Sequence, residues 1–445
     1  MLQTAPSVIA SVIENSAMSA SFVAAASQRT ADVAAAVPHM AAEASRLAVF
    51  RDWFISYRRE AAPTMTAEQN AQGPDWLFGD PVILSNPTPS SVCSKYSDKT
   101  AESVRIGVVS CMKAPKNVNE ALAAIYSKSI LTWVHHHASL GVERIFLHLE
   151  DSPALAEVLR ASRWANMLDL SEVGVTRTHY FELVDRQNAA VTAIIPRARA
   201  AGLTHLLHID DDELLYPSLG SATLRSALAH APAAAADLHL TNIEAMPPST
   251  TNRADIFRGV TAFRHEPRRY CAYTNGKSFA NLSVADVRPK GPHRFTAGSA
   301  GAATVSNEIT HEIKPHIACV LHFESSMFAL WHAKFCALAL RHMADDGAPE
   351  RVKKQTPFAF YRESLTAAVA LLRASAADEA DSDSDEDGEG GLLQAVMAKA
   401  LKLWAKWKLP PQGLPEPPEP KQPPIVLEEL GVTLLQPLAW LDDLR

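Results

Sequence analysis

The stretch LLHIDDDELLYP, residues 206–217, sets four acids directly behind one apolar run and directly before another. A dry sheet interior has no place for four like charges. In open α/β sheets, however, ligands collect in the crevice outside the carboxyl ends of the strands. If THLLHI is a strand, the acids leave it at that end. Asp210 and Asp212, two residues apart, then project in one direction from an extended segment while Asp211 points away. Converging carboxylates repel unless a cation lies between them, and hard divalent ions such as Mn²⁺ or Mg²⁺ prefer oxygen donors. The spacing does not suit a calcium loop, which needs a glycine at its sixth position. Taken alone, D-x-D leaves a solvated acidic turn open.

The flanking text supports such a sheet. RIGVVSC (105–111) and ERIFLHL (143–149) have strand length and β-branched content, and KSILTWVHHHASLG between them reads as a helix stopped at Gly141. DRQNAAVTAIIPRARAAG predicts a further helix, bent at Pro196 and ended by Gly202. Strands and helices alternating through short links predict a mainly parallel sheet covered by helices. The three consecutive histidines 135–137 cannot converge on one ion, because successive helical residues fan out by about 100°. One is expected in the core and two toward solvent or substrate. No nucleophile elbow, P-loop or G-x-G-x-x-G is found.

With 445 residues, 47% of them hydrophobic, the chain can build one large domain with appendages. Its net charge of -7 is concentrated between 378 and 391, where eight acids make a solvated linker. The remainder is nearly neutral, which gives no sign of nucleic-acid binding. Five scattered cysteines without a C-x-x-C pair fit a reducing compartment. Residues 1–103 read as an Ala-rich, helical or partly disordered extension with neither signal peptide nor membrane anchor, although a transit segment stays open. The site-bearing domain is expected over 104–345, followed by a helical extension over 346–377. In 392–445, LLQAVMAKALKLWAKWK forms a basic amphipathic helix that either docks on the domain or lies on a membrane surface. A Pro-rich connector and a tail that packs back follow.

Several blocks together bring a family into view. MKAPKNVNE, WVHHHASLGVERIFLHLEDSPAL, DRQNAAVTAIIPRARAAGLTHLLHIDDDELLYP, LTNIEAMPP, YTNGKSFANLS, GPHRFTAG and VLHFESSMFALWHAKF occur in this order over about 105–340. In them the chain resembles a GT-A-type glycosyltransferase of the family 2-like group, close to glycosyltransferase family 92, with a longer first crossover. The resemblance implies transfer of a sugar from a nucleotide-diphosphate sugar, a UDP-sugar, to a hydroxyl of a glycan. It also implies a GT-A-like, Rossmann-like fold and a divalent cation, Mn²⁺ or Mg²⁺, on Asp210, Asp212 and His322 that neutralises the leaving diphosphate. A core role for His322 is the alternative.

On the same resemblance, Asp151 accepts from the base ring, unless it opens the following helix as a cap. Arg186 and Gln187 bind phosphate or ribose oxygens, unless Arg186 pairs with Asp185 or Glu182. Asn275, Gly276, Lys277 and Ser278 form a turn approached by the donor, unless it is a plain tight turn, and His293 faces a substrate oxygen or phosphate. Trp331 and Lys334 lie on the helix after His322, with a core role open for Trp331. An inverting transfer needs a carboxylate base; Glu244 is preferred over Asp211, Glu213 and Glu324. A metal-dependent nucleotidyl or phosphoryl transferase and a non-catalytic glycan- or nucleotide-binding relative are the competing functions. The expected location is cytoplasmic, or peripheral on a membrane through 392–408.

Overall fold

The structure, a computed structural model, describes residues 99–115, 118–174, 180–250, 253–298, 310–343, 358–381, 391–418 and 424–438. Its first half runs β1 (Ile106–Met112), α1 (Glu120–Ser139), β2 (Arg144–Glu150), α2 (Pro153–Arg160), β3 (Leu168–Val173), α3 (Tyr180–Ala200), β4 (His205–His208), β5 (Glu213–Tyr216), α4 (Ser221–Ala229), β6 (Asp237–Leu240) and β7 (Asn242–Met246). Then come β8 (Ala262–Arg264), β9 (Lys277–Asn281), β10 (Arg288–Lys290), β11 (Arg294–Thr296), β12 (Thr310–Ile313), β13 (Cys319–His322), α5 (Phe328–Met343), α6 (Ala359–Asp381), α7 (Gly391–Lys408), β14 (Ile425–Leu427) and β15 (Val432–Leu434).

The first sheet has the order β12-β6-β9-β4-β1-β2-β3. Its pairs β12–β6, β4–β1, β1–β2 and β2–β3 are parallel, and β9 runs antiparallel to both neighbours. The expected mixed α/β architecture, mainly parallel and helix-covered, is therefore present. Strand periodicity explains its two-sided burial, since successive residues point to opposite faces. Val108, Ile145 and Leu207 pack with Trp133 and Val134 of α1, whereas their neighbours Val109, Phe146 and Leu206 pack with Val191, Ile194 and Ala198 of α3. The chain moves outward from β1 through β2 to β3, then returns to the other side of β1 for β4. That reversal is a topological switch point, and the four acids follow the strand that makes it.

A second sheet, β14-β15-β8-β7-β13-β5, is mainly antiparallel. β4 ends in the first sheet and β5 begins in the second, so Asp210–Asp212 span the joint between them. The tail does pack back: β15 pairs with β8. The longer first crossover is filled by the 20-residue α1, started by the Asn119 side chain accepting from Leu122 N and followed by Gly141 at φ 79°. α3 continues through Pro196 to Ala200.

Two expectations change, and one alternative is decided. His136 and His137 are both buried and only His135 is half-exposed, because His136 Nε2 meets Leu215 O at 2.8 Å and His137 Nδ1 meets Trp133 O at 2.9 Å. The helix α6 extends to Asp381, into the run read as a linker; residues 382–390 lie outside the described residues, as do 346–357 and the N-terminal extension up to 98. The basic helix α7 spends its apolar face inside the protein: Ala400 and Trp404 are buried against Trp331, Phe335, Phe360 and Leu371. Of the two readings of this helix, docking on the domain is the one its buried residues follow. No helix among the described residues is long and apolar enough to cross a membrane.

Trp404 is fully buried and donates from Nε1 to Ser325 O at 2.8 Å. Trp404→Ala is expected to lower unfolding free energy by about 3–5 kcal/mol. A urea titration followed by far-UV circular dichroism checks this, and a loss below 1 kcal/mol (roughly the surface range) would separate α7 from the folded body.

Candidate functional site

The acidic row does not form the extended stretch that the letters suggest. Asp211 and Asp212 lie in a turn, closed by Glu213 N donating to Asp210 O at 3.2 Å. The turn sends the carboxylates in different directions. Asp210 Oδ2 pairs with Lys277 Nζ at 2.6 Å. Asp211 accepts from the Tyr126 hydroxyl of α1. Asp212 faces His322, with Nε2 at 3.8 Å. Glu213 turns back into the protein, where it accepts from the Tyr273 hydroxyl and from Asp210 N and lies 3.4 Å from Lys277 Nζ.

Sheet register supplies the rest. β13 runs antiparallel to β5 with His322 opposite Glu213, and parallel to β7 with His322 opposite Glu244. Phe323 N donates to Asp212 O at 2.7 Å, which ties the acidic turn to the end of β13. Two residues past His322, Glu324 returns to the same side. Asp212, His322 and Glu324 each offer a ligand atom, all within 4.8 Å of one another. Asp212 and His322 thus meet as expected, while Asp210 is held by a lysine and Glu324 takes the third place. Period-two alternation from His322 was the available signal for Glu324, the same rule that had paired Asp210 with Asp212.

Electrostatics separate the acids. Burial opposes ionisation of Asp210, but Lys277 outweighs it and brings the carboxyl down to about 2. Asp211 is pushed up to about 7 by burial and then by Asp212. Asp212 also rises to about 7, through burial and the charge of Glu324. Burial lifts Glu213 to about 8. Glu324 is buried too, yet Lys334 and His322 hold it near about 2. Burial drops His322 to about 4, leaving a neutral imidazole that can serve as a ligand. Two carboxylates and one imidazole form a donor set suited to Mn²⁺ or Mg²⁺. His322 turns Nε2 toward Asp212 Oδ2, at 3.8 Å, and one ligand atom from each of Asp212, His322 and Glu324 lies within 4.8 Å of the others, so the residues fit such an ion.

Other expected residues take different places. Both oxygens of the buried Glu244 accept backbone N–H groups, from Cys271 at 2.6 Å and Ala272 at 2.7 Å. This fixes the chain beneath the site and does not suit a base that must meet an acceptor. Lys277 and Ser278 belong to β9, so the expected turn contracts to Asn275 and Gly276. Gly276 has φ 59°, and a Cβ there would lie 1.9 Å from Leu240 O. Its glycine is required by close backbone packing against β6. Asn275 is exposed. Ser278 Oγ donates to His293 O at 3.0 Å, and His293 Nδ1 lies 2.9 Å from Gly276 O. The His293 ring packs on Tyr273, which also packs on His322. Trp331 is core, with Nε1 donating to Ser364 Oγ at 2.9 Å.

A second cluster lies at the carboxyl ends of β1 and β2. Arg186 makes a fork to Glu150, Nε to Oε1 at 2.7 Å and Nη2 to Oε2 at 3.1 Å. Gln187 is buried beside it. Asp151 adopts φ 47° and lies 3.4 Å from Lys113 Nζ, and Ser152, not Asp151, holds the cap position of α2. Glu150, Tyr126 and Tyr273 had not been singled out. Tyr126 is 85 residues from Asp211 in sequence, and no local pattern links them.

Together these groups set a carboxylate–imidazole cluster after β4, at the switch point, and a guanidinium–carboxylate fork at the carboxyl end of β2. No protein-family model matches the chain. Two Arabidopsis thaliana proteins named glycosyltransferase-like are similar to it. One is 29% identical over 210 residues, covering 37% of this chain and 46% of its own length. The other is 25% identical over 244 residues, 45% of each. The chain therefore spans about half the length of the curated relatives it matches. Among solved structures, HddC from Yersinia pseudotuberculosis matches at 10% identity and TM-score 0.26, covering 51% of this chain and 97% of that one. The inositol-1-phosphate CTP transferase from T. maritima matches at 11% and 0.25, covering 49% and 89%. Likeness at these scores carries no argument about activity.

Lys277 is the keystone of the acidic side. Lys277→Met removes the partner of Asp210 and Glu213 and is expected to cost about 3–5 kcal/mol at neutral pH. Adding Asp210→Asn should recover part of that loss in a double-mutant cycle; strictly additive losses would show that the pair is not coupled.

Proposed function

We propose that this protein is a metal-dependent glycosyltransferase of GT-A type, transferring a sugar from a nucleotide-diphosphate sugar, a UDP-sugar, to a hydroxyl of a glycan acceptor. The observation that carries the reading is the convergence of Asp212, His322 and Glu324 at the joint of two sheets. The similarity to two proteins named glycosyltransferase-like supports the class of reaction.

Asp212, His322 and Glu324 would hold Mn²⁺ or Mg²⁺. Bound there, the ion would supply positive charge against the diphosphate as it leaves. Asp210 stays with Lys277, whose buried ammonium adds a fixed positive charge on the same side. Arg186, held by Glu150, and Asp151 would offer a positive charge and an acceptor to the nucleotide beside the carboxyl end of β2. The proton of the attacking hydroxyl goes to Asp211. It is more exposed than Glu213 or Glu244, and burial and Asp212 raise its carboxyl to about 7, close to the value that suits a general base at neutral pH. Tyr126 orients it.

Nucleotide sugars screened by thermal shift with and without Mn²⁺ test the class. One donor should raise the melting temperature by several degrees, only with metal, as mass action requires. The absence of any donor effect, in wild type that melts cooperatively, would remove the assignment. Metal affinity carries a pH signature. Asp212 must lose a proton to bind, and its carboxyl is raised to about 7, so apparent Mn²⁺ affinity should increase from pH 6 to pH 8 and level off above. Calorimetric titrations at the two pH values check this, and Asp212→Asn should flatten the dependence as well as weaken binding.

A further inference from the structure

Among the described residues, the ammonium groups of Lys277 and Lys334 touch the acidic site, and they differ in their freedom. Lys277 is 0% exposed and wedged between Asp210 and Glu213. Lys334 reaches across from α5 with its side chain 41% exposed, and its Nζ lies 2.6 Å from Glu324 Oε2. The same oxygen accepts from the Tyr361 hydroxyl of α6 at 2.8 Å, and Lys334 Nζ lies 3.1 Å from that hydroxyl. Glu324 Oε1 accepts from Ser325 Oγ. One carboxylate of the metal-competent cluster is therefore already occupied by a cation.

A divalent ion and an ammonium on the same carboxylate repel each other at short range in a poorly solvated setting. One of them has to move. Lys277 has no exposed surface, whereas Lys334 stands at the rim, its side chain 41% exposed, on a flexible four-carbon stem that can carry its ammonium into solvent. We propose that Lys334 is a displaceable counter-cation. It neutralises Glu324 while the site holds no metal, gives way when a divalent ion takes the carboxylate, and by this competition sets the site's metal affinity. This rests on the metal reading above and deepens it. It makes α5 and α6, elements beyond the acidic motif, part of how the site is regulated. A purely structural ion pair would behave in the opposite way, since removing its lysine would loosen Glu324 and weaken metal binding.

Calorimetric titration of the full chain with Mn²⁺ alone, in the absence of nucleotide, separates the two. Lys334→Met should bind Mn²⁺ about tenfold more tightly than wild type, because the repulsive charge is gone. Lys334→Arg, which retains the charge, should stay within about twofold, and so should Tyr361→Phe, which removes a neutral hydroxyl. If the methionine variant fails to melt cooperatively, Lys334→Gln makes the same comparison with a polar donor and no charge. Unchanged or weaker Mn²⁺ binding in the charge-free variant, while wild type binds and Asp212→Ala does not, overturns the counter-cation role and leaves the metal site standing. No Mn²⁺ binding in wild type or in either charge-free variant removes the metal reading and this proposal together.

Discussion

The buried ammonium of Lys277 is the interaction on which the site depends. Several carboxylates brought together at the joint of two sheets would each lose hydration worth several kcal/mol, and their mutual repulsion would add to that. Lys277 contacts Asp210 at 2.6 Å and Glu213 at 3.4 Å and has no exposed surface. It lets β4 end and β5 begin within five residues while both remain buried. The charge is also selective. It makes Asp210 a strong acid, while Asp211, Asp212 and Glu213, farther from compensation, keep their protons toward neutral pH. One cation thereby divides four similar side chains into separate roles.

Register carries that division across the second sheet. His322 is opposite Glu213 on one side and Glu244 on the other. Because side chains alternate along a strand, a slip of one residue would turn His322 away from Asp212. Glu244 guards against the slip by accepting two backbone N–H groups from the segment that leads into β9. Residues late in the chain complete the support. Trp404 of α7 fixes the carbonyl of Ser325, itself at φ 49°, and Tyr361 of α6 holds Glu324. Helices that read as appendages in the linear text thus brace the corner where Glu324 turns.

Much of this was legible and some of it was not, for different physical reasons. The strands around β1, β2 and β4 announce themselves through local composition, and Gly141 through its position after a periodic run. Asp210, Asp211 and Asp212 were visibly outside the sheet because an apolar strand does not hold them, whereas Glu213 opens β5 and is buried. Their partners were hidden. Lys277, Tyr126 and Tyr273 come from segments 67, 85 and 60 residues away from the carboxylates they contact. The helical face of α7 was legible as amphipathic, but what would cover its tryptophans depended on α5 and α6.

Sequence by itself determined the alternation of strands and helices and the concentration of acids just after the strand that ends at His208. These follow from hydrophobic periodicity and from the cost of burying charge, which act locally. Only tertiary structure decided that Asp210 belongs to Lys277, that Glu324 completes the cluster and that Glu244 serves the backbone. Which way a side chain faces in a turn, and which cation lies opposite it, depends on register and packing between distant segments, and no local window of the chain contains that information.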